Sequence, residues 1–173
     1  MPESTFPPAR PSRVPGLLLA ALMMAGLISS ALAQDRAAQV MAVTGAVQAI
    51  DTQGRARALA RGAEVRAGDR IVTGEGALVQ MRMGDGGFIS VRSGTEMSID
   101  RYIYDEKNSG NSNVLVSLIK GGFRSITGLI GRSNPSAYQV RTSTATIGIR
   151  GTDHEPMVIA PGAGMAGTPG VYD

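Results

Sequence analysis

Residues 77–91 read Ala77-Leu78-Val79-Gln80-Met81-Arg82-Met83-Gly84-Asp85-Gly86-Gly87-Phe88-Ile89-Ser90-Val91, and this stretch decides the fold. Val79, Met81 and Met83 alternate with Gln80 and Arg82, the period of a strand with one buried face. Ile89 and Val91 repeat the alternation after four residues rich in glycine. Gly84-Asp85-Gly86-Gly87 supplies residues that tolerate positive φ, which a tight reversal between antiparallel strands requires. A dinucleotide-binding glycine loop would lead into a helix, but this one leads into Phe88-Ile89-Ser90-Val91. The glycines are therefore those of a turn, with Asp85 expected to bond backbone amides inside it.

The same grammar extends outward in both directions. Upstream, Val40 to Ile50 is rich in strand formers and carries Gly45 in its middle. Downstream, Gly94 breaks the chain before Met97 and Ile99 resume the two-residue period. Val114 to Ile119 reads as a strand, with a turn expected at Lys120-Gly121-Gly122-Phe123-Arg124. Tyr138 to Thr142 and Ala145 to Ile149 form two further alternating strands. Lys107 to Asn113 contains no apolar residue and reads as an exposed loop that nothing would order; Gly131 to Pro135 reads as a second loop. With 23 glycines and short runs about ten residues apart, residues 34–160 are expected to form one all-β domain with almost no helix. That spacing suits a sandwich or a solenoid of stacked coils, and does not choose between them. Residues 161–173 are expected to be a flexible Gly/Pro-rich tail or a truncated remainder.

The N-terminus has a different character. Arg10 and Arg13 precede Gly16–Ile28, an uncharged apolar run of 13 residues, and Ala31 and Ala33 place small side chains at a cleavage position. This order is that of a secretory signal peptide, and the run is shorter than the ~20 apolar residues of a spanning helix. Cleavage after Ala33 would leave Gln34 as the mature N-terminus, 1–33 forming the signal-peptide helix. Losing Arg10, Arg13 and Glu3 takes the formal charge from +3 to +2, so charge alone names no partner. There is no cysteine, hence no disulfide and no lipid-modified cysteine after the signal, and no later run is long enough to span a bilayer. A periplasmic location without an integral membrane anchor follows as the expectation.

Little in the sequence points to catalysis, and no enzyme activity, cofactor or metal is expected. His154 is the one histidine, and Asp153 and Glu155 flank it on what should be the opposite face of a strand. That spacing matches no zinc or calcium pattern, and no serine lies in a nucleophile elbow. Arg150, beside Gly151 and Thr152 at the close of the last strong strand, is expected to stitch loops together by pairing with Asp153 or Asp85, with contact to an anion or a partner as its functional alternative. Arg55, Arg57, Arg61, Arg66 and Arg70 form a basic cluster. It reads as a solvated face, with contact to anionic glycan or lipid head groups as its functional alternative. Nucleic acid is not expected, since no aromatic residue in that segment could stack on bases.

Three segments in order resemble the FecR domain family: Gly62-x5-Gly68-Asp69-Arg70-Ile71-x-Thr73-Gly74, the turn region from Val79 to Val91, and Tyr138 to Thr152, which ends in Arg150-Gly151-Thr152. The Lys120–Arg124 segment fits between them, and the resemblance covers roughly residues 40–158. It implies that Gly68, Asp69, Thr73, Gly74, Asp85, Gly86, Arg150, Gly151 and Thr152 are motif positions. It also implies a small right-handed β-helix-like solenoid, with the sandwich as alternative. The best-known relatives carry iron-siderophore signals across the envelope and have an anti-sigma segment and a transmembrane helix ahead of this domain. A signal peptide stands there in this sequence, which resembles the stand-alone exported branch. The implied function is a binding module in envelope sensing or signal transduction, whose partner is an envelope protein or a cell-wall glycan. The alternative is a structural scaffold that binds cell-wall polymer or assembles with itself. Oligomeric state is open.

Overall fold

The computed structural model describes residues 36–151, 153–159 and 171–172. The expected signal peptide, with Ala31, Ala33 and Gln34, lies outside them, as do Thr152 and most of the expected tail. The strands are β1 (Arg36–Thr44), β2 (Val47–Ile50), β3 (Ala56–Ala58), β4 (Glu64–Arg66), β5 (Arg70–Thr73), β6 (Leu78–Met83) and β7 (Phe88–Val91). They continue as β8 (Glu96–Ile103), β9 (Asn113–Ile126), β10 (Tyr138–Arg141), β11 (Thr146–Gly148), β12 (Asp153–His154), β13 (Met157–Val158) and β14 (Val171–Tyr172). One short helix, α1 (Leu129–Ser133), and two single 3₁₀ turns complete the described chain.

The all-β expectation holds. The strands follow one path, β3-β2-β5-β8-β9-β7-β6-β1-β4, with β10 to β14 attached at β9 and its neighbours. This is an open, curled, largely antiparallel sheet, a half-barrel. Stacked coils of a solenoid pair in parallel, whereas the one parallel ladder among the described residues joins β10 to β9. The pairing therefore departs from the right-handed β-helix implied by the resemblance. Its cause is local: strands adjacent in sequence turn back on themselves at glycines, as β6 and β7 do with Val79 opposite Val91 and Arg82 opposite Phe88.

The period-two reading of 77–91 is reproduced residue by residue. Val79, Met81, Met83, Ile89 and Val91 are buried, while Arg82 and Phe88 face outward. Gly86 sits at φ +83°, the positive value the reversal demands. Among the described residues the core is made of Val, Ile, Met, Leu and Ala with Phe123, Tyr102 and Tyr138. Each Val, Ile, Leu, Met or Phe side chain removed from water contributes about 1.5–3 kcal/mol.

Four segments differ from the sequence reading. The loop expected at 131–135 is taken up by α1 and the 3₁₀ turn that follows it, and Val171–Tyr172 of the expected tail pairs with β13 as β14. The turn expected at 120–124 is not a turn: β9 runs through it unbroken. Gly121, at φ +79°, bends the strand against β8, and a Cβ there would meet Thr95 Oγ1 at 2.5 Å. The N-terminal half of β9 pairs with β8 and the C-terminal half with β7, so this bend is what curls the sheet. The polar stretch from Lys107 to Asn113 is ordered by Asp105 just ahead of it and by its own Ser112. Asp105 Oδ1 accepts the amides of Lys107 and Asn108 at 2.9 and 3.0 Å, and buried Ser112 Oγ accepts the Asp105 amide at 3.0 Å.

Candidate functional site

The motif positions occupy the junctions where strands change direction. At the first, Gly68 has φ +89° and donates its amide to Ile99 O at 2.7 Å. A Cβ on Gly68 would lie 2.6 Å from Thr52 Cγ2, so two constraints select glycine. Asp69 is buried and accepts the Arg66 amide at 2.7 Å, closing the turn between β4 and β5. Its carboxylate also takes the Arg57 guanidinium in a two-pronged contact, and the same guanidinium reaches Glu64 O at 3.0 Å. The hydrogen bond to Asp69 raises the Arg57 pKa above its ordinary value against the opposing effect of burial. Asp69 thus ties β3, β4 and β5 together through one residue.

The second junction holds Thr73, Gly74 and a residue the sequence reading passed over, Thr95. Thr73 Oγ1 donates to Arg92 O and accepts the Thr95 amide at 2.9 Å. Thr95 Oγ1 donates to Gly122 O at 2.9 Å and accepts the Gly122 amide at 3.0 Å, satisfying the backbone where β9 bends. Gly74 donates to Ala46 O at 2.9 Å. Thr95 sits one residue after Gly94, in the turn between β7 and β8; that position was its signal, and its partner lies 27 residues on.

The third junction is the turn at Asp85. The expectation that Asp85 bonds an amide of its own turn is met by Gly87, at 3.2 Å from Oδ1. Its reach is longer than the turn, however. Oδ2 accepts the buried Ile130 amide at 3.2 Å, and the Asp85 carbonyl accepts the Leu129 amide at 3.1 Å. Asp85 therefore satisfies two of the amides that open α1. Tyr102, also buried, donates its hydroxyl to Oδ1 at 3.3 Å and accepts the Asp85 amide at 2.6 Å. Burial first, and then the Asp85 charge, raise the Tyr102 pKa far above the ordinary range. Gly128 is pressed so close that a Cβ on it would stand 2.4 Å from Asp85 Cγ.

Arg150 does not do what its motif position suggested. Its side chain is exposed, and it makes no ion pair or hydrogen bond with the described residues. Both expected partners are taken: Asp153 pairs with Arg124 (Nε to Oδ1, 3.0 Å), and Asp85 is engaged as above. Gly151 instead supplies the link, its carbonyl accepting Thr127 Oγ1 at 2.8 Å. The basic cluster is also largely compensated. Arg55 pairs with Asp51 at 2.7 Å, Arg57 with Asp69, and Arg70 with Glu96 at 3.0 Å, leaving Arg61 and Arg66 without a side-chain ion pair among the described residues. Three of the five candidate anion contacts are thus committed to carboxylates. His154 is buried edge-on between Phe123 and Tyr138, with ring centroids 6.3 and 5.4 Å away. Asp153 and Glu155 lie on the other side, paired with Arg124 and Arg92. Among the described residues no three His, Cys, Asp or Glu side chains gather as a metal site.

What the third junction presents outward is apolar. Phe88 and Ile126 are cross-strand neighbours on the outer face of β7 and β9, 43% and 39% exposed, and Leu129 follows at 54%. Leu129 also lines a cleft of about 430 Å³ with Tyr104 and Ile130, rimmed by Asp105, Glu106 and Arg132. The backbone under this surface is packed against the turn, since a Cβ on Gly87 would meet Gly128 N at 2.9 Å. Among the described residues no helix is long and apolar enough to cross a membrane. A family model described as FecR protein matches residues 69–165. No curated protein and no solved structure matches the chain.

Proposed function

The chain belongs to the FecR protein family, and from that premise we propose that its β domain is a non-enzymatic, periplasmic binding module for envelope sensing or signal transduction. The family itself is one of signal-transduction and sensing domains. The observation that carries the proposal is the surface formed by Phe88, Ile126 and Leu129. Large apolar side chains grouped on a soluble face are a usual mark of a contact surface. Here the buried Asp85 carboxylate holds the backbone beneath them, so the surface is presented in one fixed geometry. Asp69, Asp85, Thr73 and Thr95 support the same reading, because their bonding capacity is used to hold strand junctions. The ligand is accordingly another envelope protein, and export by the N-terminal signal delivers the domain to it.

The test uses the processed chain immobilised and exposed to solubilised envelope from the native host. One stoichiometric membrane protein should be retained, and Leu129→Asp, an exposed change, should release it while the melting temperature holds. Retention on isolated peptidoglycan, or a ladder of self-oligomers with no retained protein, would overturn the proposal in favour of a scaffold.

A further inference from the structure

A second surface lies on the β10–β11 hairpin, on residues separate from Phe88, Ile126 and Leu129. Among the described residues β11 pairs with β10 alone, so its other side is a sheet edge. The phase of the ladder follows from its two ends: the Ile149 amide donates to Tyr138 O at 3.0 Å, and the Thr142 amide to Ala145 O at 2.8 Å. In an antiparallel pair, residues that bond across alternate with residues that face away. Ala145, Ile147 and Ile149 therefore turn their backbone to β10, and Thr146 and Gly148 turn theirs outward. Gly148 has no side chain to cover that edge, and a Cβ on it would meet nothing within 4 Å.

The edge is framed by two arginines. Arg141 stands opposite Thr146, and Arg150 follows Gly148 by two residues on the same face. Both are exposed, and neither side chain has an ion pair or hydrogen bond among the described residues, unlike those of Arg55, Arg57, Arg70 and Arg124. Beside the edge lies a cleft of about 590 Å³ lined by Asn134, Ser136, Gln139, Gly148 and Arg150, with no acidic residue in its lining.

We propose that the β11 edge accepts an extended acidic segment of another protein as an added strand. The outward N–H and C=O groups of Thr146 and Gly148 bond its backbone, and Arg150 and Arg141 take its carboxylates. Main-chain pairing would supply affinity without regard to sequence, and the arginines would supply selection. Charge also disfavours the simplest competitor, a second copy of this chain: edge-to-edge pairing would bring arginines against arginines. Four residues, the last two beyond the end of β11, separate Thr146 from Arg150, about 14 Å at extended spacing. The segment should therefore carry two acidic side chains four residues apart, on one face.

The experiment is fluorescence anisotropy on the processed full chain. The probe is a capped, labelled octapeptide, Thr-Glu-Val-Thr-Val-Glu-Val-Thr, compared with the same peptide carrying Lys for both Glu. The Glu peptide should bind and weaken with salt, and the Lys peptide should not bind. Arg150→Gln should weaken binding about tenfold, with an unchanged melting temperature because Arg150 supports nothing in the fold. Gly148→Pro should abolish binding, since it removes an outward N–H and no bond to β10. If that variant does not fold, Arg141→Gln/Arg150→Gln takes its place, with amide shifts of Thr146 and Gly148 during titration as the second readout. Equal binding of the two peptides, or full affinity in Arg150→Gln, would overturn the proposal. Because Leu129→Asp leaves this edge untouched, failure here and failure of the Phe88–Ile126–Leu129 surface are separable.

Discussion

Replacing Asp85 with alanine should do more damage than a turn residue ordinarily could. The wild-type carboxylate accepts three bonds: from the Gly87 amide at 3.2 Å, the Ile130 amide at 3.2 Å and the Tyr102 hydroxyl at 3.3 Å. Gly87, Ile130 and Tyr102 are all buried, so water does not readily replace the lost acceptor. Each stranded buried donor costs about 1–3 kcal/mol. The bonds are long, which favours the lower end of that range, and removing a buried carboxylate relieves its own desolvation. The net loss should be about 3 kcal/mol. For a domain of this size that is a fall of roughly 10 °C in melting temperature. Asp85→Asn keeps one carbonyl acceptor but turns an NH₂ group toward an amide donor, and should lose about half as much. Thermal melts followed by far-ultraviolet circular dichroism measure both, with urea midpoints shifting at constant m as the cross-check. An Asp85→Ala melting temperature within about 2 °C of wild type would refute the assignment of Asp85 as the clamp on α1.

Gly128→Ala should be destabilising by about 2–3 kcal/mol, because the new Cβ lands 2.4 Å from Asp85 Cγ and neither backbone can retreat. In urea titrations its effect should be less than additive with Asp85→Ala, since both break one contact. Alkaline pH should destabilise the domain through its two buried tyrosines, Tyr102, whose pKa burial raises furthest, and Tyr138, whose pKa burial pushes up to about 12 from 10.0. The folded state keeps the proton while the unfolded state releases it near 10. Stability is therefore complete below pH 10 and declines as pH rises through 12; a tyrosinate absorbance step for Tyr138 near 10 in the folded protein would contradict this. Arg150→Ala should leave the melting temperature unchanged, the reverse of what its motif position suggests, and a fall of several degrees would restore the structural role.

How much of this was legible in the sequence depends on the range of the contact. The β6–β7 hairpin was readable because its alternation, its glycines and its asparagine-like turn residue Asp85 all lie within fifteen residues. The β10–β11 pair was readable for the same reason. The further partners of Asp85 were not, since Tyr102 is 17 residues away and Ile130 is 45. No local pattern encodes that meeting. Gly121-Gly122 read as a turn because paired glycines usually mark one. Only the buried hydroxyl of Thr95 opposite them reveals that the strand continues. Helix α1, five residues long, is too short to display a 3.6-residue period. Arg150 was misassigned because its carboxylate partner had to be guessed, and Arg124 had already claimed Asp153.

The central claim is that the apolar surface around Leu129 meets another envelope protein. The most direct measurement is photo-crosslinking in the native host with a benzophenone amino acid at position 129, and with the same group at position 61 as a control. Leu129 and Arg61 are both exposed, but Arg61 lies outside the proposed surface. A discrete adduct with one envelope protein, formed from position 129 and not from position 61, is the predicted result. No adduct from position 129, or the same adducts from both positions, would contradict it.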